Sequence, residues 1–189
     1  MFINAKIETD RLIIRPYQLD DVDALYEVVS EPNFYKYVPE EIPTREGVKR
    51  IIEWSINCNS KNNPEKIYKF NLVIFSKEDN QLIGYCGLGP YDLNSSKIEL
   101  YYGISEKYRV KGLAKETAIS VSDYRFRIIG LNEIVTTVHP DNTPSLKILE
   151  KIRFTSTSTL KNMSKEDEYF EGYDYYLLTK EKFEQHILV

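Results

Sequence analysis

The feature that most constrains this fold is a long helical segment, residues 111–129, held between two strand-like runs. Apolar residues alternate along 97–104, as they do in a half-buried strand, and 133–138 is rich in β-branched residues. Gly130 then provides a common helix stop. A strand, a crossover helix and a second strand predict a βαβ unit, whose two strands lie parallel and adjacent.

The other runs of the sequence extend this unit to a single domain over residues 1–189, since a chain of this length supports one sizeable core. The order is β-α-α-β-β-β-α-β-α-β-β, and a mixed sheet covered by helices is its natural packing. The polar, proline-interrupted stretch 57–66 is predicted to be a loop. The predicted strands are 12–16, 68–75, 82–88, 97–104, 133–138, 154–160 and 173–178, and the predicted helices are 20–29, 44–56, 111–129 and 143–152.

The composition argues against several classes of function. A net charge of −4 does not suit a general nucleic-acid binder, which normally carries a basic surplus. Two cysteines, Cys58 and Cys86, are too few for a disulfide framework, and two histidines, His139 and His186, argue against a zinc site. No apolar run approaches the roughly 20 residues of a membrane span, and the N-terminus lacks a signal peptide. We therefore expect a cytoplasmic protein with no metal and no nucleic-acid or membrane partner.

The turn Arg109–Ala114 lies between a strand end and a helix start, where unpaired backbone N–H groups converge and the helix dipole favours an anion. Gly112 allows a close approach of the backbone, Ala114 leaves space, and Lys111 and Lys115 add positive charge. These features suit a phosphate or pyrophosphate. An ordinary basic loop before a helix explains the turn equally well on these grounds alone.

A family resemblance favours the phosphate interpretation. The segment Glu99–Glu116 resembles the acetyl-CoA motif of the GNAT superfamily of N-acetyltransferases, Gln/Arg-x-x-Gly-x-Gly/Ala, which is met here by Arg109, Gly112 and Ala114. Val110 occupies a position that is often glycine in the family but is left free by the motif.

Two further stretches resemble the RimJ/RimL-like branch of that superfamily. Thr9–Pro16 is similar to its Thr-x-Arg-Leu-x-Leu-Arg start, and 142–154 is similar to its Asn-x-x-Ser … Glu-Lys-x-Gly-Phe, with Arg153 in place of the glycine. The matches span most of the chain. The resemblance implies a GNAT-like α+β fold: a central mixed, mostly antiparallel twisted sheet of six to seven strands, flanked by about four helices.

The resemblance also implies where acetyl-CoA binds. The turn amides would hold the pyrophosphate, the end of the preceding strand would pair with the pantetheine arm, and an asparagine would lie near the thioester. The implied residues are Arg109, Val110, Lys111, Gly112, Leu113, Ala114 and Lys115 in the turn, Tyr102, Gly103 and Ile104 in the strand, and Asn142.

The proton transfers are less well defined by the resemblance, because Leu149 stands where many family members carry a tyrosine acid. Glu99 is the candidate base, with a structural or solvated carboxylate as the alternative. Ser145 is the candidate acid, with a role at the helix start as the alternative. Tyr101 or Tyr102 can substitute for it.

The predicted reaction is direct attack of a primary amine on acetyl-CoA, the amine being a protein N-terminus or a small molecule. Phe34, Tyr35 and Trp54 are candidates for the acceptor pocket, with core and loop packing as the alternative. His139 is interpreted as structural. A non-catalytic acyl-CoA-binding module on the same fold, or an interaction domain without a nucleotide ligand, are the other functions that the sequence allows. A monomer or a homodimer is expected.

Overall fold

The structure is a computed structural model that describes residues 1–187, with side chains to residue 185. The strands are β1 (Ile7–Glu8), β2 (Leu12–Pro16), β3 (Phe70–Ser76), β4 (Leu82–Tyr91), β5 (Asn94–Ile104), β6 (Glu133–Val138), β7 (Thr155–Thr159) and β8 (Asp174–Thr179). The helices are α1 (Val22–Val29), α2 (Arg45–Lys61), α3 (Leu113–Tyr124), α4 (Thr143–Lys151) and α5 (Lys180–Ile187). None of these helices has the length and the apolar character that crossing a membrane requires.

The strands form one eight-stranded sheet in the order β1-β2-β3-β4-β5-β6-β8-β7. Its neighbours are antiparallel except for β5 and β6, which run parallel. This confirms the predicted βαβ unit and the mostly antiparallel sheet. The connecting helix α3 continues through a π-helical turn, Arg125–Ile129, and ends at Gly130 in the left-handed conformation (φ 86°).

Apolar side chains on both faces of the sheet hold the helices. On β3, Leu72 and Ile74 belong to the core that includes α3, whereas Val73 between them belongs to the core formed with α1 and α2. This alternation follows from the period of two along a strand. The sheet is therefore covered on both sides, and the site lies where β5 and β6 separate within it.

Two elements were not predicted, and one prediction was wrong. The two-residue strand β1 is too short to give a pattern, and α5 follows β8 without an intervening turn residue. The predicted loop at 57–66 is helical as far as Lys61. The extra helical turn is stabilised by tertiary contacts, because Cys58 is buried and Asn59 donates a hydrogen bond to the Phe2 carbonyl (3.4 Å).

Phe70 is expected to contribute strongly to stability. It is fully buried, and its ring contacts Phe2 (centroids 5.1 Å apart) and Tyr124 (6.2 Å), so it joins the N-terminal segment, β3 and α3. Phe70→Ala should lower the free energy of unfolding by about 3–5 kcal/mol, measured by urea denaturation. The control is Tyr68→Ala, which truncates an exposed ring and should cost less than about 1 kcal/mol. Equal losses in both variants would contradict this assignment of the core.

Candidate active site

The central feature of the site is a gap between β5 and β6. Strand β5 pairs with β4 from Asn94 to Ile104, but its register with β6 consists of one pair, Glu99 with Val135. Beyond Glu99 the two strands diverge, so the edge of β5 at 102–104 has no strand partner on that side within the described residues. An unpaired edge offers backbone N–H and C=O groups to an extended ligand. Tyr102, Gly103 and Ile104, which the resemblance assigns to the pantetheine arm, lie along this unpaired edge.

The turn after β5 presents a run of unpaired backbone amides. Val110 and Gly112 both have positive φ (63° and 79°), and Gly112 is the residue that precedes α3. The first backbone bond of the helix runs from Glu116 N–H to the Gly112 carbonyl (3.1 Å), and no acceptor within residues 1–187 takes the N–H groups of 110–115. Together with the helix dipole, this arrangement suits an anion.

An ion pair between Arg11 and Glu116, with Arg11 largely exposed, ties this turn to the N-terminal segment. Arg11 donates from Nη1 to the Lys111 carbonyl (2.9 Å) and from Nε to the Glu116 carboxylate (2.7 Å). Thr9 also donates to Glu116. Partial burial acts to raise the pKa of Glu116, but the bonds from Thr9 and Arg11 lower it overall. These residues belong to separate sequence motifs, and no local pattern predicts their contact.

The gap opens into a cavity of about 480 Å³, whose wall includes the catalytic candidates Glu99 and Ser145, the cofactor-binding candidates Tyr102 and Asn142, and Leu149. Asn142 begins α4, and its Oδ1 accepts a bond from the Ser145 N–H (3.3 Å). Leu149 is buried on this wall, so the phenol of the family has no counterpart at that position.

The Tyr102 hydroxyl lies on the same wall and has no hydrogen-bond partner among the described residues. Burial raises the pKa of Tyr102 to about 12, and the nearby Ser145 hydroxyl acts in the opposite direction. Tyr102 and Ser145 both line this wall of the cavity. A buried hydroxyl that lacks a partner is free to bond a ligand atom in the cavity.

Glu99 reaches across the gap from β5 to β6. Its carboxylate accepts bonds from the Thr137 N–H (3.4 Å) and from Thr137 Oγ1 (3.2 Å). Burial is the main reason that the pKa of Glu99 rises to about 7, and the Asp92 carboxylate adds to the rise, whereas Thr137 and the Lys69 ammonium oppose it. At neutral pH this carboxyl can both hold and release a proton.

The acceptor candidates divide into two groups. Tyr35 and Trp54 line the cavity. Phe34 lies outside its lining and packs instead on Gly103, where a Cβ would lie 2.6 Å from the Phe34 ring. Several cavity residues carry no signal in the sequence, because only the strand register and the packing of α1 bring them together: Tyr17, Lys69, Asn71, Tyr85 and Asp92.

Ionisation of Glu99 should make the fold less stable as pH rises. Its pKa is about 7 when folded against an ordinary 4.5, so the folded state binds the proton more tightly. The stabilisation that Glu99 contributes is therefore fully present below pH 4.5, and roughly 2–3 kcal/mol of it is lost as pH rises to about 7. Glu99→Gln keeps an acceptor for Thr137 and should abolish this loss in urea unfolding measured at both pH values. Glu46→Gln, on the exposed start of α2, should behave like the wild type. A pH dependence unchanged in Glu99→Gln would contradict the raised pKa.

Comparison with known proteins agrees with this geometry. The model of the acetyltransferase (GNAT) domain family matches residues 11–155. The uncharacterized N-acetyltransferase YnaD of Bacillus subtilis is 30% identical over 176 residues, which cover 93% of this chain and 98% of that protein. A crystal structure of a GNAT-family acetyltransferase from Bacillus anthracis superposes with a TM-score of 0.77 at 26% identity, over 94% of this chain and 99% of that one.

A more distant structure shares the fold alone. The spermidine N-acetyltransferase of Vibrio cholerae, solved in complex with CoA and spermine, superposes with a TM-score of 0.75 at 18% identity and covers 93% of this chain and 99% of its own. The family match extends over most of the chain and contains both the turn and the gap. This chain belongs to the GNAT family and is an acetyltransferase.

Proposed function

We propose that this enzyme transfers the acetyl group of acetyl-CoA to a primary amine, by direct attack of the amine in a complex that holds both substrates. The observation that carries the proposal is the Glu99 carboxylate, which faces the cavity where β5 and β6 part and has a pKa of about 7. A general base is most effective when its pKa lies near the working pH.

The residues present fit acetyl-CoA. The free amides of 110–115 suit its pyrophosphate, and the open edge of β5 at 102–104 suits its pantetheine arm. The Asn142 side chain lines the cavity, and its match to the family's asparagine supports a place near the thioester. When bound, acetyl-CoA supplies the activated acetyl group.

Glu99 and Tyr102 leave β5 on opposite faces of the sheet, because they are three residues apart in a strand of period two. Tyr102 packs with the core that includes α3. Glu99 lies on the other face, with Tyr101, toward α1 and α2. We assign the acceptor amine to the Glu99 face and the departing sulfur to the Tyr102 face.

On its face, Glu99 takes the proton that the amine must lose before it can attack. On the other face, the Ser145 and Tyr102 hydroxyls provide the proton for the sulfur. They replace the tyrosine that many family members carry at the position of Leu149. The free hydroxyl of Tyr102 supports this role, since it spends its hydrogen bond on no other residue of the described chain.

Charge in the cavity favours a cationic acceptor. Three carboxylates line it, those of Glu40, Asp92 and Glu99, against one lysine, Lys69. The Glu40 side chain is exposed to water, but the protein atoms around it disfavour its charged form and raise its pKa.

The spermidine acetyltransferase of the same fold is named for a polyamine, and a ribosomal-protein-S5-alanine acetyltransferase of Vibrio fischeri is named for a protein acceptor. A cavity of about 480 Å³ has the size of a small-molecule site, so we propose a small cationic amine.

Turnover on such amines tests the function. Thiol release from acetyl-CoA should appear with polyamines or other small cationic amines and should be weak with peptides that have a free N-terminus. Glu99→Gln should lower kcat by roughly 10²–10⁴-fold at neutral pH, with unchanged affinity for CoA in calorimetry. Absence of turnover on every amine, or near-normal rates in Glu99→Gln, would contradict the proposal.

The turn is tested by Gly112→Asp. A carboxylate beside the free amides should repel the pyrophosphate, so CoA should no longer raise the melting temperature. Gly172→Asp is the matched control, because Gly172 has a similar positive φ (83° against 79°) and nothing near its Cβ position, but lies in another loop. Both variants carry the backbone strain of a side chain at positive φ. Retained CoA binding in Gly112→Asp would place the pyrophosphate elsewhere.

A further inference from the structure

On the sheet face that carries Glu99, two side chains lie across glycines of β4, the strand between β3 and β5. Gly87 is in register with Asn71 on one side and Tyr101 on the other. The Tyr101 ring lies across Gly87 and donates its hydroxyl hydrogen to Asn71, at a place that a Cβ on residue 87 would occupy. Asn71 in turn donates to Ser55 of α2 (2.6 Å), which fixes the ring.

A second crossing lies one step along the strands and brings a lysine to Glu99. A Cβ on Gly89 would lie 2.6 Å from Lys69 Cδ and 3.1 Å from Lys69 Nζ, so the lysine lies flat across this position. Gly89 is the register partner of Glu99. Directly opposed residues project from the same face, with Cβ atoms about 5 Å apart. The Lys69 side chain therefore lies on the Glu99 face of the sheet, next to the strand position of Glu99, and its charge acts to lower the pKa of Glu99.

The ammonium of Lys69 is held by an aromatic ring and by no ion pair. Its Nζ lies 4.7 Å from the centre of the Tyr101 ring, a cation–π contact. The salt bridges of the described residues do not include Lys69. It lines the cavity, on the face to which we assign the acceptor. An internal primary amine thus occupies the region of the acceptor amine.

We propose that Lys69 is an acetylation site of the enzyme itself, modified on Nζ by the enzyme's own acetyl-CoA when no external amine fills the cavity. The inference rests on the proposed function, because it uses the same base and the same acetyl donor. It adds a second acceptor, which belongs to the chain.

The step balances without any further reactant. Glu99 takes one proton from the Lys69 ammonium, and the neutral nitrogen attacks the acetyl carbonyl carbon. A C–N bond forms and the C–S bond breaks. Of the two protons left on nitrogen, one remains on the new amide and the other is delivered to sulfur through the wall hydroxyls or water, which gives CoA thiol. Glu99 returns its proton to solvent.

Acetylation would change the site in two ways. It removes the positive charge that favours the ionised forms of Glu99 and Glu40, and it adds an acetamide to the cavity. The acetamide takes space that an external amine needs, and without the Lys69 charge more of Glu99 is protonated at neutral pH and cannot accept a proton. The modified enzyme should therefore turn over amines more slowly.

The experiment is incubation of the full chain with acetyl-CoA and no amine, followed by intact-mass measurement and peptide mapping. We expect one acetyl group per chain, on Lys69, at a rate independent of protein concentration. Lys66 is the internal control. Its Nζ makes a similar cation–π contact, 4.8 Å from the centre of the Tyr68 ring, but Lys66 is exposed and lies outside the cavity lining. Lys69 should react roughly 100-fold faster than Lys66, since the site positions it. Lys69→Arg should abolish the modification, and Lys66→Arg should leave it unchanged.

The outcomes separate this inference from the proposed function. Turnover on external amines with an unmodified Lys69 would overturn the inference and leave the function standing. Equal labelling of Lys66 and Lys69, or labelling unaffected by Glu99→Gln, would show simple chemical acetylation and overturn it as well. Absence of both turnover and modification would overturn the two together.

Discussion

The separation of β5 from β6 is the constraint on which the rest of the site depends. Each strand keeps a full partner on its other side: β5 with β4 as far as Ile104, and β6 with β8 through all six residues of Glu133–Val138. Both strands therefore hold their conformation while they diverge. Backbone groups left at the edge of the gap need partners, because an unpaired buried N–H or C=O is costly. Such an edge favours an extended ligand that can act as the missing strand.

Local patterns predicted the part of the fold that surrounds this gap. The strand at 97–104, the helix after it and the strand at 133–138 each have a clear period, and the parallel pairing follows from the crossover. The elements at the chain ends were missed because they have no such period. The helical turn at 57–61 was wrongly predicted as a loop because its stability comes from contact with the N-terminal segment, which no local pattern records.

The site also has parts that local sequence patterns indicate and parts that only tertiary contacts create. The turn 109–114 is contiguous in sequence, so its glycine and its place before a helix suggested an anion site, which the family resemblance then favoured over an ordinary basic loop. The bond from Arg11 to Glu116, which steadies that turn, joins residues more than a hundred positions apart. The row of Lys69, Gly89 and Glu99 likewise depends on the register of three strands. The family resemblance indicated Glu99, but no sequence pattern predicts that Lys69 lies on the same face of the sheet.

The glycines of β4 leave room for several polar side chains to lie close together on one face of the sheet. A side chain at 87 or 89 would displace the Tyr101 ring or the Lys69 stem, and both would then point away from the sheet. With glycine there, the ring and the ammonium lie flat and leave the cavity open above them. The same arrangement keeps the proton acceptor on one face and the wall hydroxyls on the other, because Glu99 and Tyr102 are an odd number of positions apart on β5. A shift of one residue in the register of β5 would put Leu100 in place of Glu99 and turn the Glu99 carboxylate to the opposite face of the sheet. The site therefore depends on the pairing of β5 with β4 as well as on its side chains.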